Sequence, residues 1–181
     1  PADFAGDVLV LSGDVPLLDA ETLSALLAEH RAAHAAATLL SAQLQDPTGY
    51  GRVIRDGDGG VSRIVEQKDA SADELTVTEV NSGVYVFRAA ALRAHIGGLT
   101  TANSQGEMYL TDVVALLRAA GELINARTIA DASLVEGIND RVQLAEAAAR
   151  LNARVIRRWQ LAGVTVQDPA TTWIDVTATL A

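Results

Sequence analysis

Four aliphatic residues in a row, Val8-Leu9-Val10-Leu11, stop at Ser12-Gly13-Asp14-Val15-Pro16, and an N-capping Asp19 then opens a helical pattern. A continuous apolar run bounded by turn residues reads as a strand buried in a parallel sheet. A strand that hands over to a helix across a short polar turn is the repeating unit of an α/β fold. Leu23, Leu26, Leu27 and the neighbouring alanines keep helical spacing to about Ala37, and Thr38 to Leu44 is the next strand. Arg52 to Arg55 and Val61 to Val65 flank Asp56-Gly57-Asp58-Gly59-Gly60, a hairpin turn inserted into the alternation. Val77 to Phe87 gives the longest strand signal, Ala89 to Ile96 a short helix closed by Gly97-Gly98, Met108 to Ala120 a helix ended by Gly121, and Leu123 to Ile129 a strand. Asp140 caps a long helix to about Leu161, whose last turns carry Arg154, Arg157 and Arg158 against the negative end of the helix dipole. From Val164 to Ala181 the pattern changes to short strand-like runs around a turn at Asp168-Pro169.

The expected fold is therefore α/β and Rossmann-like, with a mostly parallel sheet and one antiparallel insertion. Its 181 residues suffice for one domain with a core. A net charge of −9 argues against nucleic acid or an anionic membrane as the main partner, because both require a basic footprint. Phosphate ligands stay open, since they need only local positive groups or a bound cation. With no cysteine, the chain has no disulfide framework, thiolate nucleophile or cysteine zinc site. No apolar run reaches the roughly 18 residues of a membrane span and nothing reads as a signal peptide, so the expected location is cytoplasmic.

Asp14 sits just past the carboxyl end of a strand, where open α/β sheets bind ligands. A carboxylate there can hold Mg²⁺, a hard ion that shares phosphate oxygens, or it can cap a turn beside Pro16. Asn139 precedes the long helix and can either cap it or offer an oxygen to a cation. Asn81-Ser82-Gly83 interrupts an apolar strand, and a buried polar residue needs a partner from backbone, water or ligand. Gly49-Tyr50-Gly51-Arg52 allows close approach of the backbone to a ligand, because glycine lacks Cβ. Glu66 ends a strand and reads as a charged strand edge. His30 and His34 have the spacing of a helical metal pair, but the glutamate of that motif is absent and a solvated helix face is expected. Asp56 to Gly60 lacks the glutamate and flanking helices of a calcium loop. No glycine-rich phosphate loop and no serine-hydrolase elbow is present, so any element that cradles a nucleotide's phosphates lies elsewhere.

Six segments in order carry a resemblance: Gly13-Asp14-Val15-Pro16-Leu17-Leu18, Gly49-Tyr50-Gly51-Arg52-Val53, Ile64-Val65-Glu66-Gln67-Lys68-Asp69-Ala70, Glu79-Val80-Asn81-Ser82-Gly83-Val84-Tyr85, Gly106-Glu107-Met108-Tyr109-Leu110-Thr111-Asp112 and Gly137-Ile138-Asn139-Asp140-Arg141-Val142-Gln143-Leu144-Ala145. Together they resemble the uridylyltransferase domain of the bacterial bifunctional N-acetylglucosamine-1-phosphate uridylyltransferase/glucosamine-1-phosphate N-acetyltransferase. The closing Asp168-Pro169-Ala170-Thr171-Thr172-Trp173-Ile174 is similar to the junction where that family's left-handed β-helix begins.

The resemblance implies that UTP and N-acetylglucosamine 1-phosphate give UDP-N-acetylglucosamine and pyrophosphate, by in-line attack of the sugar phosphate on the α-phosphorus. It implies Mg²⁺ as cofactor, held by Asp14 and Asn139, and sugar contacts from Gly51, Glu66 and Asn81. Ser12, at a position often tyrosine in the family, and Gly13 would lie beside the path of the uridine sugar. It implies a uridylyltransferase domain over residues 1–163 that lacks its first βα unit, then a junction to a β-helix over residues 164–181. The family's triphosphate-gripping loop and uracil-reading residues would precede Pro1, and the acetyltransferase region, with the contacts of a homotrimer, would follow. On that reading residues 1–181 alone lack most uridylyl transfer and all acetyl transfer. The alternatives are another sugar-1-phosphate nucleotidylyltransferase and a sugar-nucleotide-binding module without turnover.

Overall fold

A computed structural model describes residues 3–180, which divide into two compact units. The first runs to Gly13 and resumes from Leu18 to Glu136, and the second comprises Asp14–Leu17 with Gly137–Ala181.

The first unit is a mixed six-stranded sheet with helices. Strand β1 (Asp7–Val10) leads to helix α1 (Ala20–Ala32) and β2 (Ala37–Gln43), followed by the hairpin β3 (Arg52–Arg55) and β4 (Val61–Val65). Then come the long β5 (Glu79–Arg88), α2 (Ala89–His95), α3 (Asp112–Ala119) and β6 (Ile124–Ile129). The strand order is β4-β3-β5-β2-β6, with β1 beside β5.

Strand direction departs from the expected mostly parallel sheet. Among the described strands, β1, β2 and β3 all run antiparallel to β5 and β3 runs antiparallel to β4, whereas β2 and β6 alone pair in parallel. An apolar run reports burial of a strand's faces, not the direction of its neighbour. The same holds for β1, expected to be buried in a parallel sheet: it lies antiparallel to β5, and Leu9 is 43% exposed.

The helices cover both faces. Ala37, Leu39, Tyr85, Phe87 and Ile124 share a core with Ala91 of α2 and Val113, Val114 and Leu117 of α3. The alternate residue Thr38 bonds His30 of α1 on the opposite face (2.9 Å). Further along the α3 face the row turns polar. Ser41 donates to Glu79 (2.7 Å), and Arg55 clasps the Glu79 carboxylate through two nitrogens (both 2.7 Å). Burial pushes the Glu79 carboxyl up, but Arg55 and Ser41 outweigh it and hold it below its ordinary value.

His30 corrects the expectation of a solvated histidine pair. It is 2% exposed, and its Nε2 lies 3.6 Å from Asp7. His34 falls past the helix end at φ +50. Helix α3 starts at Asp112, not at Met108, because the preceding segment folds around the Asn103 side chain, which bonds the backbone of Gln105 and Glu107.

In the second unit, α4 (Arg141–Leu161) is capped by Asp140, which accepts from the N–H groups of Val142 and Gln143 (both 2.8 Å). Asn152 braces the following segment through Thr172 and Ile174. The strand-like runs expected after Val164 form no strand among the described residues. Asp168 and Asp175 instead fold the chain into side-chain-capped turns with Ala170, Thr171 and Thr177. Among the described residues, no helix is long and apolar enough to cross a membrane.

Candidate functional site

The polar interruption in β5 is a bulge. Leu39 pairs with Tyr85 and Ser41 with Asn81, so one residue of β2 faces three of β5. Ser82 stitches the defect: its hydroxyl donates to the Leu40 carbonyl (2.7 Å) and accepts from the Val84 N–H (3.2 Å). Gly83 supplies the left-handed conformation, at φ +75. The Asn81 side-chain oxygen accepts from the Gly83 N–H (3.2 Å). The Asn81 amide also engages the Tyr85 hydroxyl, whose phenol burial pushes well above its usual range.

Two strands share this edge of β5 without meeting. β3 flanks the start of β5, with Arg52 opposite Val80, and β1 flanks its end, with Val10 opposite Tyr85. The notch between them falls on Asn81-Ser82-Gly83. Into it come the loop after β1 and the loop before β3. Ser12 Oγ sits 3.5 Å from the Ser82 carbonyl and would lie 2.2 Å from a Cβ on Gly83. Gly51 accepts from the Asn81 N–H through its carbonyl (2.8 Å).

Glu66 joins Gly51 because the β3–β4 hairpin closes with Arg52 opposite Val65, which sets the residue before β3 against the residue after β4. A Cβ on Gly51 would lie 3.3 Å from the Glu66 carboxylate, so glycine makes the room that this carboxylate occupies. Thr111, buried at the foot of α3, donates to Glu66 (3.0 Å). Four of the sequence-predicted residues, Ser12, Gly51, Glu66 and Asn81, thus gather along one notch of the first unit, and Gly13 follows Ser12 with open space around it. Thr111 was missed because it stood inside a segment with helical periodicity, and no local signal marks a hydroxyl as a brace.

Asp14 and Asn139 belong to the second unit and approach each other there. The Ile138 N–H donates to the Asp14 carbonyl (2.9 Å), and a Cβ on Gly137 would lie 2.9 Å from an Asp14 carboxylate oxygen. Gly137 therefore leaves a space at the Asp14 carboxylate, two residues from Asn139. Asp140 takes the capping role open to Asn139, and Gln143 holds the Asn139 backbone N–H (2.6 Å), so the Asn139 amide is not used as the cap. One carboxylate and one amide are hard oxygen donors of the kind Mg²⁺ prefers. Among the described residues there is no cluster of three or more histidine, cysteine, aspartate or glutamate side chains able to form a complete metal cage. The pair thus fits an ion that takes its remaining ligands from water and phosphate.

The chain matches the nucleotidyl transferase family over residues 2–177. It is 60% identical over 181 residues to the bifunctional protein GlmU of Leifsonia xyli subsp. xyli, covering 100% of this chain and 37% of the relative. It is 55% identical over 180 residues to the bifunctional protein GlmU of Mycobacterium tuberculosis, covering 99% of this chain and 36% of the relative. The chain thus spans little more than a third of the length of these curated relatives. A solved structure from Bacillus anthracis, assigned as a glucose-1-phosphate thymidylyltransferase, superposes with a TM-score of 0.58 at 19% identity over 82% of this chain and 56% of that one. That likeness concerns the fold.

Proposed function

Since this chain belongs to the nucleotidyl transferase family, we propose that it carries the sugar and metal ligands of a uridylyltransferase joining UTP to N-acetylglucosamine 1-phosphate. The products are UDP-N-acetylglucosamine and pyrophosphate. The observation that carries this reading is the convergence of Gly51, Glu66 and Asn81, from three separate segments, on one bulged strand edge.

A sugar presents a ring of hydroxyls, and an acetamido group adds one donor and one acceptor. The Glu66 carboxylate accepts from hydroxyls, the Asn81 amide both donates and accepts, and the Gly51 N–H is a donor on a residue with no side chain of its own. Ser12 borders the same notch, and with Gly13 it would lie beside the path of the uridine sugar. In-line displacement at the α-phosphorus needs positioning and charge neutralisation more than a covalent catalyst. Asp14 and Asn139 would hold Mg²⁺, which when bound neutralises and orients phosphate oxygens. The protein groups hold the sugar phosphate so that its oxygen can approach phosphorus opposite the leaving pyrophosphate.

In this reading residues 1–163 belong to the uridylyltransferase part and residues 164–181 to the junction to a left-handed β-helix. The relatives are named bifunctional, and the proposal extends to a cytoplasmic, homotrimeric protein that also acetylates glucosamine 1-phosphate. The test is pyrophosphate release from UTP and N-acetylglucosamine 1-phosphate by a protein of the relatives' full length that carries these residues. Glucose 1-phosphate and dTTP serve as competitors. Preference for the competitors would overturn the substrate assignment.

A further inference from the structure

We infer that Arg52 is the positioning residue of the sugar pocket, aiming the Gly51 N–H and fixing the loop that bears Glu66. The inference rests on the sugar-phosphate reading above. Arg52 is the largest fully buried side chain, 2% exposed, and among the described residues no carboxylate lies within ion-pairing distance of it. A buried guanidinium whose direct bonds go only to neutral acceptors, with Asp46 acting on it through space alone, is a costly choice where an apolar residue would pack. Its bonds show what it holds. One terminal nitrogen donates to the Tyr50 carbonyl and the other to Gln67 Oε1 (2.7 Å), while Nε has no partner. The same Gln67 oxygen accepts from the Gly49 N–H (3.3 Å). Arg52 and Gln67 thus bind both flanks of the pocket's hairpin, the Gly49-Tyr50-Gly51 loop before β3 and the Glu66-Gln67 step after β4.

The grip on Tyr50 has a directional consequence. The Tyr50 carbonyl and the Gly51 N–H belong to one planar trans peptide and point in opposite directions. Drawing the carbonyl toward the buried guanidinium turns the Gly51 N–H away from it. Among the described residues that N–H has no acceptor within the chain. The Gly51 carbonyl is tied at the same time to the Asn81 N–H, so both peptides around Gly51 are set from within the fold. A lysine could reach one acceptor but not span two, because the task needs the rigid fork of a guanidinium.

The test compares Arg52→Gln, Arg52→Lys, Gln67→Ala and the double variant Arg52→Gln/Gln67→Ala in a protein of the relatives' full length. Each single variant should raise KM for N-acetylglucosamine 1-phosphate about tenfold, the loss expected for one charge-assisted hydrogen bond, and leave KM for UTP within about twofold. The double variant should be no worse than the weaker-binding single, because the two groups act as one clamp. A parallel rise in both KM values, full rescue by Arg52→Lys, or multiplying single effects would overturn the inference. Gln67, half-buried, stands in should Arg52→Gln fail to fold. Amide exchange in the 181-residue chain separates this inference from the substrate reading. Gln67→Ala should speed exchange at Gly49 about tenfold, as loss of one hydrogen bond implies, with the α3 amides unchanged. Unchanged Gly49 exchange overturns the clamp. Faster exchange without any uridylyl transfer by the wild-type protein of the relatives' full length overturns the substrate reading alone.

Discussion

Around Asn81 the polar side chains are themselves tied into the fold, whereas around Asp14 only the main chain is tied and the side chains face empty space. Glu66 leans on Thr111 and against Gly51, Asn81 on Gly83 and Tyr85, and Ser82 on Leu40. Asp14 and Asn139 are exposed and are tethered through their main chains, by Ile138 and Gln143 respectively. The contrast follows from what each region would bind. A ring of hydroxyls is told from its isomers only by donors and acceptors oriented beforehand, and ordering them at the moment of binding would cost affinity. An ion that takes most of its ligands from phosphate and water needs oxygen atoms within reach and freedom to adjust. Substitutions in the two regions should therefore differ in kind. The first unit should show changes in sugar affinity and in stability together, the second changes in turnover alone.

The largest effect is expected from Asp14→Ala. Removing one charge-stabilising group should lower kcat roughly 10²–10³-fold. Because Asp14 is exposed and its carbonyl bond to Ile138 survives, stability should stay within about 0.5 kcal/mol, which thermal unfolding can check. Wild-type turnover would remove the metal pair from the mechanism.

A matched pair of glycine substitutions sharpens the contrast. Gly83→Ala meets Ser12 at 2.2 Å in a backbone at φ +75, so it should cost about 1–2 kcal/mol for the left-handed conformation alone, with loss of sugar binding. Gly137→Ala meets only the end of the Asp14 side chain, at 2.9 Å. It should leave chemical denaturation nearly unchanged and raise the Mg²⁺ concentration needed for half-maximal rate. Equal losses of stability would erase the distinction between the regions.

A smaller effect is expected from Thr111→Val, which keeps shape but removes the donor to Glu66. Hydrogen bonds to a charged group are worth about 1.5–3 kcal/mol, so KM for the sugar phosphate should rise about tenfold at unchanged kcat. An unaltered KM would mean that Glu66 does not touch the sugar.

The smallest effect concerns pH and the first unit alone. Burial holds the His30 imidazole below its ordinary value of 6.5, although nearby Asp7 works in the opposite direction. The unfolded chain therefore takes up this proton before the folded one does. The contribution of His30 is complete above pH 6.5 and is lost as pH falls through the lower folded value. Urea titrations at pH 7.5 and about 5.5 should show a loss for the wild type that His30→Gln reduces. Equal pH dependence in both would exclude His30 as its source.

The sequence made some parts of this molecule legible because one local rule settled them. The turn at Asp56 to Gly60 places its hairpin between the expected strands, and Asp140 caps α4 as a short oxygen-bearing side chain before a helical pattern should. Gly121, at φ +78, ends α3 where expected. What stayed hidden depends on partners far away in the chain. Nothing in Val8 to Leu11 says that its neighbour will be β5 running the opposite way. Nothing in Asp7, His30 and Thr38 says that they will meet. The expected sugar contacts converge, but the residues that hold them, Arg52, Gln67 and Thr111, carried no signal of their own. Arg52 looked like a strand residue beside a glycine loop, and only the hairpin register shows that its head reaches both flanks.

The bulge in β5 has a further consequence. Between its bonded rungs β2 advances from Leu39 to Ser41 while β5 moves from Tyr85 to Asn81, an excess of two residues on β5. Since side chains alternate with a period of two, an even excess leaves inside and outside unchanged on either side of the defect. Asn81 keeps the facing of Tyr85, and the inserted pair is invisible to the hydrophobic alternation that builds the core. The notch is in this sense a detachable module. Excising Ser82 and Gly83 together would restore a plain ladder and erase the pocket, whereas losing either one alone would turn the rest of the strand inside out.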